Sequence, residues 1–518
     1  MATQHTPVLI VGAGAAGLAT AALLDKHGVK SLVVEKRQEV FRYPKARNLS
    51  FRTLEILRGL GLSREVHAVG ADTPDMVVKP ALNSAEELPA IDLGALFAGL
   101  DELSPEPVIQ YCPQSRLEPM LVHHIRTRGG EVRYGIELVS VDQDASGVNA
   151  VLREIGSSET TSVRSEYLVA ADGVHSRIRG GLGIGTSGLD VVPIYVVFVY
   201  FRGPWQRFVS HLGDGASVQV KNPDVDGIFV PSDGDLCVFI TTYFPQRGQS
   251  ADQFTEQRCR ELILAAVGEP IDIEIIDIAP WQPHQRVADT FTCGRTFLVG
   301  DSAHAMPPFR AGGANVAIQS ADNLAWKLAA VLRGRAGPGL LASYHDERHP
   351  VGAFSSRQSM TGPVLKLLDM DAELEADEEE PMFALLAGYQ YRSAAVISDT
   401  APTRAPLDLV TELRGQPGTR VPHVWLQDGR VSTLDLVGTG FTLLTTEDTD
   451  AWSGAASNDV AVHVISAADQ KAWLTATDLQ PDGALLIRPD AFIAWRAERL
   501  PADPTGELRR VLRTLIDG

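Results

Sequence analysis

The most specific chemistry lies in a short glycine-rich stretch near the start of the chain. Gly12-Ala13-Gly14-Ala15-Ala16-Gly17 follows an unbroken apolar run, Val8 to Val11. It precedes an alanine-rich stretch through Leu18, Ala22 and Leu24 that stops at Gly28. Between a strand and a helix, this spacing makes a phosphate cradle. Gly12 permits the tight turn, Gly14 lets the backbone approach a pyrophosphate, Gly17 brings helix against strand, and the helix N-terminus stabilises the anion. Ala16 belongs to the same loop. Glu35 closes the next apolar run, Ser31 to Val34, about twenty residues on, and Lys36 follows it. A carboxylate there accepts hydrogen bonds from the ribose hydroxyls of an adenosine half. The reading is a dinucleotide site in a βαβ unit.

Three further motifs follow in order. Gln114-Ser115-Arg116-Leu117-Glu118 is polar, and Ala171-Asp172-Gly173-Val174-His175-Ser176-Arg177 ends the apolar run Tyr167 to Ala170. Gly300-Asp301 closes the run Phe297 to Val299 and leads through Ser302-Ala303-His304-Ala305-Met306-Pro307-Pro308 to Gly312-Gly313-Ala314-Asn315, at the start of a helical stretch ending at Leu332. Together the four motifs resemble the single-component FAD-dependent aromatic hydroxylases, over at least residues 8 to 332. The resemblance implies a ribityl contact for Asp301. It also turns the backbone N–H groups of Ala314 and Asn315 toward the N1–C2=O edge of an isoalloxazine, where a helix dipole stabilises developing negative charge. Gln114 and Arg116 resemble the family residues beside the ribityl and phosphate groups. Arg47, in Pro44-Lys45-Ala46-Arg47, resembles the arginine near the pyrophosphate and the passing nicotinamide. Asp172, Gly173, Gly300, Pro308 and Gly313 complete the implied cofactor set.

The elements that must position these residues are those of an α/β chain. Length allows about three units at roughly 100–200 residues each. The expected architecture is a Rossmann-like FAD-binding domain, an antiparallel-sheet substrate domain and a C-terminal thioredoxin-like α/β domain. The expected boundaries are 1–184 for the first part of the FAD unit, 185–284 for the strand-rich middle domain, 285–402 for completion of the FAD unit with long helices, and 403–518 for the C-terminal domain. Period-two segments at Val139–Val141 and Val148–Leu152 predict a meander leading into the strand at Tyr167. The C-terminal unit, with Arg420-Val421-Pro422-His423-Val424-Trp425 and Leu486-Ile487-Arg488-Pro489-Asp490, looks like the appendix of the polyketide-hydroxylase branch. It holds none of the four cysteines, Cys112, Cys237, Cys259 and Cys293, so a redox dithiol is excluded there and packing or oligomerisation, with a homodimer as the expected assembly, is its reading.

Composition removes other classes. With 65 acidic against 46 basic residues the formal charge is −19, which argues against nucleic acid and anionic membrane surfaces as partners. The cysteines lack metal spacing, so no metal site is expected. The start, Met1 to Pro7, lacks a signal-peptide pattern, and no apolar run reaches the eighteen or so residues of a membrane span; the expectation is a cytoplasmic enzyme. The acidic stretch Asp369 to Glu380 reads as a solvated loop or helix end.

Two departures from the family matter. Phe309-Arg310-Ala311 stands where glycine is usual, so Arg310 either points to solvent or contacts an anionic or polyhydroxylated substrate. No second strand-linked GxGxxG appears, so NADPH or NADH is a transient co-substrate without a Rossmann domain of its own. Phe309, Arg310 and Trp205 are the substrate candidates, although aromatic residues on strands, including Phe198 and Tyr200, read first as core. His304 and His175 read as structural, and no acid–base residue stands out. The resemblance implies an FAD monooxygenase that consumes NAD(P)H and O₂ and hydroxylates a polycyclic phenolic molecule through a flavin C4a-hydroperoxide, with FAD held non-covalently. Baeyer–Villiger oxygenation, antibiotic-inactivating hydroxylation, and a non-catalytic flavin-binding protein are the alternatives.

Overall fold

The computed structural model describes residues 3–40, 46–70, 76–90, 92–212, 216–232, 234–310, 312–362, 377–401, 403, 405–446, 452 and 460–517. Pro44, Lys45, Ala311, Arg404 and the first part of the acidic stretch, 369–376, lie outside the described residues, as does the side chain of Phe309.

The chain opens with strand β1 (Gln4–Val11), helix α1 (Ala15–Lys26) and strand β2 (Ser31–Glu35). Val8, Leu9 and Ile10 are wholly buried, as unbroken apolar runs require when helices cover both faces of a parallel sheet. Helix α2 (Phe51–Gly59), strand β3 (Met76–Lys79), helix α3 (Gln114–Thr127), strand β4 (Glu131–Tyr134) and the meander β5 (Ile136–Asp144), β6 (Gly147–Glu154) and β7 (Thr160–Ala170) follow.

The middle of the chain contributes β8 (Val196–Arg202), β9 (Ser217–Lys221), β10 (Asp226–Pro231), β11 (Leu236–Thr242), helix α4 (Glu256–Val267) and β12 (Glu274–Trp281). It then returns through β13 (Thr292–Cys293) and β14 (Thr296–Leu298) to two long helices, α5 (Gly313–Leu332) and α6 (Ala342–Gln358). The first sheet has the order β13-β14-β7-β1-β2-β4 and is parallel from β14 to β4, with the meander paired to β7. Helix α1 packs along α5, which brings the two ends of this unit together.

The second sheet, β12-β8-β11-β10-β9-β3, is antiparallel except where β3 joins β9. Its side chains alternate between two faces. One face, with Val197, Val199, Phe201, Phe229 and Phe239, packs on α4 as a dry core. The other carries Phe198, Tyr200, Ile228, Val238, Ile240 and Trp281, and Phe198, Ile228, Ile240 and Trp281 are only half-buried. Met360, just past α6, packs against this second face.

The C-terminal domain is thioredoxin-like: β15 (Phe441–Thr445), β16 (Val460–Val464), β17 (Ala484–Ile487) and β18 (Ile493–Ala497) form the order β16-β15-β17-β18. It docks on α2, α5 and α6 through buried charges. Arg488 donates to Glu347 Oε1 at 2.6 Å and to Asp490 Oδ2 at 2.5 Å, Lys327 donates to Glu347 Oε2 at 2.8 Å, and Arg420 pairs with Glu55.

Candidate cofactor and substrate site

The glycine loop is shaped by backbone crowding. Gly12 has φ +110°, and a Cβ there would stand 2.2 Å from the Ala171 carbonyl oxygen; one on Gly17 would stand 2.0 Å from the Gly12 carbonyl oxygen. No side chain could replace either. Gly14 is the N-cap of α1 and makes no side-chain cap bond, so the first turn presents backbone donors to the loop. Glu35, 6% exposed, accepts from Ala13 N at 2.8 Å and from Arg37 N and Nε at 3.0 Å each. Burial alone would raise its pKa, but these hydrogen bonds and the Arg37 charge bring it below the usual carboxylate range. Glu35 is therefore ionised at the end of β2, beside the loop, while Lys36 points to solvent.

The turn after β14 meets this loop directly. Gly300 has φ +63°, and a Cβ on it would lie 2.7 Å from Ala16 Cβ and 3.6 Å from Ala317 Cβ. Asp301, next along, is exposed. Ser302 Oγ donates to the Ala170 carbonyl at 2.6 Å and Arg179 Nη1 to the Ser302 carbonyl at 2.8 Å, which joins the ends of β7 and β14. Asp172 accepts from Ser176 Oγ at 2.5 Å and from Ile178 N at 3.2 Å, so its carboxylate caps its own turn beside Gly173, which has φ +86°.

Gln114, at the start of α3, donates to Glu118 Oε1 at 2.5 Å, and its own N–H donates to the Ala46 carbonyl. Glu118 is fully buried with its carboxylate 3.8 Å from where a Gly14 Cβ would be. Glu118 is absent from the set that the resemblance implies; its position one helical turn after Gln114 is the local signal for it. Arg116 is exposed. Arg47 donates to Ser217 Oγ at 2.9 Å, a tie from the first unit to the middle sheet.

Helix α5 starts in the same region. Its N-cap, Gly312, makes no side-chain cap bond, and Gly313 and Ala314 are half-buried. The Asn315 side chain accepts from Ser50 N at 2.9 Å and donates to the Asn48 carbonyl at 3.1 Å, so it anchors the helix start and leaves only its backbone to face a ligand. Pro308 is exposed in the preceding loop.

Two substrate candidates land elsewhere. Arg310 is buried, donating to Gln358 Oε1 at 2.8 Å, Thr361 Oγ1 at 3.1 Å and the Glu380 carbonyl at 2.6 Å. It neither points to solvent nor keeps a free guanidinium for substrate; it ties the loop before α5 to the segment that carries Met360. Trp205 is 2% exposed on the α4 side of the middle sheet, with its indole N–H donating to the Asp235 carbonyl at 3.1 Å, and so is core. The open face opposite carries Phe198 against Trp281, ring centroids 5.6 Å apart. His304 is buried behind the loop; burial first, and then the Arg348 charge, push its pKa down to about 3. It is neutral at physiological pH.

A turn that only glycine can make, an ionised carboxylate beside it and a second strand-end turn pressed against the first helix are the geometry of an α/β fold of the nucleotide-binding class. The comparisons narrow that class. Residues 5–359 match the family described as FAD binding domain, and residues 414–518 match aromatic-ring hydroxylase, C-terminal. The chain is 38% identical over 562 residues to tetracenomycin A2 monooxygenase-dioxygenase of Streptomyces glaucescens, covering 100% of this chain and 98% of that protein. It is 35% identical to 4-methyl-5-nitrocatechol 5-monooxygenase of Burkholderia sp, covering 99% and 98%. The solved structure of aklavinone-11 hydroxylase with FAD and aklavinone aligns over 100% of both chains, with a TM-score of 0.89 and 32% identity. The chain belongs to the FAD-dependent aromatic-ring hydroxylases and is a flavoprotein monooxygenase.

Among the described residues no helix is long and apolar enough to cross a membrane.

Proposed function

We propose that this monooxygenase hydroxylates a polycyclic, phenolic aromatic molecule of the polyketide kind, using NADPH or NADH and O₂. The observation that carries the reading is the open face of the middle sheet. Phe198, Ile228, Ile240 and Trp281 form a half-buried apolar wall against the segment that Arg310 ties to the loop before α5. The names of the tetracenomycin and aklavinone relatives agree with a substrate of that kind. Residues 1–184 and 285–402 would then form the cofactor unit and 185–284 the substrate domain.

The residues fit FAD: the crowded turn at Gly12 and Gly17 leaves no room for a side chain, and α1 opens without a side-chain cap. Gly12, Gly14, Ala16 and Gly17 would hold the pyrophosphate, with Arg47 nearby, and Glu35 the adenosine ribose. Gln114, Arg116 and Asp301 would hold the ribityl chain. Asp172 and Gly173 frame that pocket through the tied turns of β7 and β14, and Gly300, Pro308 and Gly313 shape its loop. The Ala314 and Asn315 N–H groups would stabilise negative charge at the flavin N1–C2=O edge. No histidine or cysteine is assigned an attachment role, so FAD is non-covalent. Bound FAD supplies electron transfer from NAD(P)H and the activation of O₂. The protein orients the ring beside it and excludes water.

The test is to bleach the yellow holoenzyme with NADPH under nitrogen across a panel of fused-ring phenols and quinones. A substrate accelerates bleaching, and admission of O₂ then yields a product heavier by one oxygen atom. Equal rates with every compound would reject the substrate class.

A further inference from the structure

We propose that Arg348 is a positioning residue for the flavin, a buried cation that reinforces through α5 the positive end the helix turns to the N1–C2=O edge. The inference rests on the reading above, in which the start of α5 faces that edge. Arg348 lies on α6 and is fully buried. Its guanidinium closes on α5 near the helix start: Nη2 donates to the Val316 carbonyl at 3.3 Å and Nε to Ser320 Oγ at 3.1 Å, while Nη1 donates to the Tyr391 hydroxyl at 2.8 Å.

These acceptors are a carbonyl and two hydroxyls, and the Tyr389 hydroxyl also bonds the guanidinium. No ion pair to Arg348 is found among the described residues, in contrast to its sequence neighbour Glu347, which binds both Lys327 and Arg488. The buried carboxylate that feels its field, Asp322, is held by Arg52 at 2.9 Å. His304, the titratable group packed on the flavin-loop side, is neutral and so does not add a charge of its own. A whole positive charge thus sits against the first two turns of α5, a long helix that starts at the cofactor loop. Burying it without a counter-ion is costly unless an anion elsewhere uses its field. Ser320 is seven residues past Gly313, so at a rise of about 1.5 Å per residue the guanidinium lies on the order of 10 Å along the helix from a group against its start. At that distance a unit charge is felt in a medium of effective dielectric about 20.

Sulfite tests this, because it adds to flavin N5 and leaves the negative charge at N1–C2=O. Arg348→Gln holoenzyme is expected to bind sulfite about tenfold more weakly than wild type, with a lower midpoint potential, and Arg348→Lys, which keeps the charge but not the fork, within about threefold. Unchanged affinity in Arg348→Gln, or equal losses in Gln and Lys, overturns the proposal. If Arg348→Gln gives no holoenzyme, Tyr391→Glu replaces it: it sets a carboxylate against the cation and must weaken sulfite in the same way, and no change there also overturns the proposal. Ala314→Pro, allowed in a first helical turn but lacking the N–H, separates the two readings. No effect of Ala314→Pro on sulfite binding means that the helix start does not face the flavin. A loss in Ala314→Pro with none in Arg348→Gln removes Arg348 alone.

Discussion

The two ends of α5 are built on opposite plans. Its second half lies in a closed lattice of charge: Asn323 donates to Glu347 Oε2 at 2.6 Å and to Asp490 Oδ2 at 3.2 Å, Lys327 joins the same Glu347, and Arg488 closes the ring from the C-terminal domain. Burial would raise the Glu347 pKa, but Arg488 and Lys327 hold it well below the usual range, so it is an anion. The first turn, by contrast, has no side-chain cap, glycine at its entry and half-buried backbone. One end is complete within the chain. The other opens without a side-chain cap, and that asymmetry sets the two ends apart more sharply than burial does.

The largest expected effect breaks the closed end. Glu347→Gln leaves Arg488 and Lys327 buried with one carboxylate fewer, and stability is expected to fall by about 3–5 kcal/mol, since removing one partner strands the others. Urea unfolding of the apoprotein measures it. The paired change Glu347→Gln with Arg488→Met should cost less than the sum of its parts. A loss below about 1 kcal/mol would mean that the lattice does not hold the domains together.

At the open end the same logic predicts a different readout. Glu35→Ala and Asp301→Ala should each weaken FAD binding by roughly 1–3 kcal/mol, the range for a buried hydroxyl left without its acceptor. Asp301 is exposed, so its loss should scarcely move the unfolding midpoint of the apoprotein; Glu35 holds Ala13 and Arg37 and should move it somewhat. Full flavin retention on dialysis in both would remove them from the site.

A pH profile samples both ends at once. Burial, with Lys26 adding, pushes the pKa of His27 down to about 3, at the junction with the C-terminal domain; His304, behind the loop, is also at about 3. The unfolded chain takes up these protons as pH falls through about 6.5, and the folded chain does not until about 3. Stability from each is therefore intact above about pH 6.5 and lost progressively below it. Between pH 7 and 5.5 each histidine should cost about 1 kcal/mol. His27→Gln and His304→Gln should each flatten the profile by that amount in urea titrations, and a wild-type profile already flat over this interval would contradict the assignment.

The open end was legible in the sequence and the closed end was not. Gly12, Gly17, Glu35 and Asp301 sit at the ends of short apolar runs, where local pattern alone reports a strand, a turn and a helix. Strand β2 and helix α5 emerge within a residue of where periodicity put them. The lattice gives no local signal. Glu347 and Arg348 stand among other charges in Tyr344-His345-Asp346-Glu347-Arg348-His349 and look like a solvated helix face. Their partners lie in distant segments, Arg488 being 141 residues away from Glu347. Arg310 misled for the same reason: its acceptors, Gln358 and Glu380, come from beyond the next helix.

The smallest effect sharpens the contrast on a single sheet. Sequence makes Trp205 a substrate candidate and Phe198 core, and the sheet's two faces reverse those places. Trp205→Phe keeps a ring in the α4 core and removes one hydrogen bond, to a carbonyl at an exposed turn that water can reach. It should cost about 0.5–1 kcal/mol of stability and leave substrate KM unchanged. Phe198→Ala should do the reverse in kind. Its ring is half-buried against Trp281, so truncation enlarges the open wall and should raise KM several-fold, with only a modest shift in unfolding. If Trp205→Phe raised KM while Phe198→Ala did not, the substrate would lie on the α4 side, and the division of the sheet into a packed face and a binding face would have to be reversed.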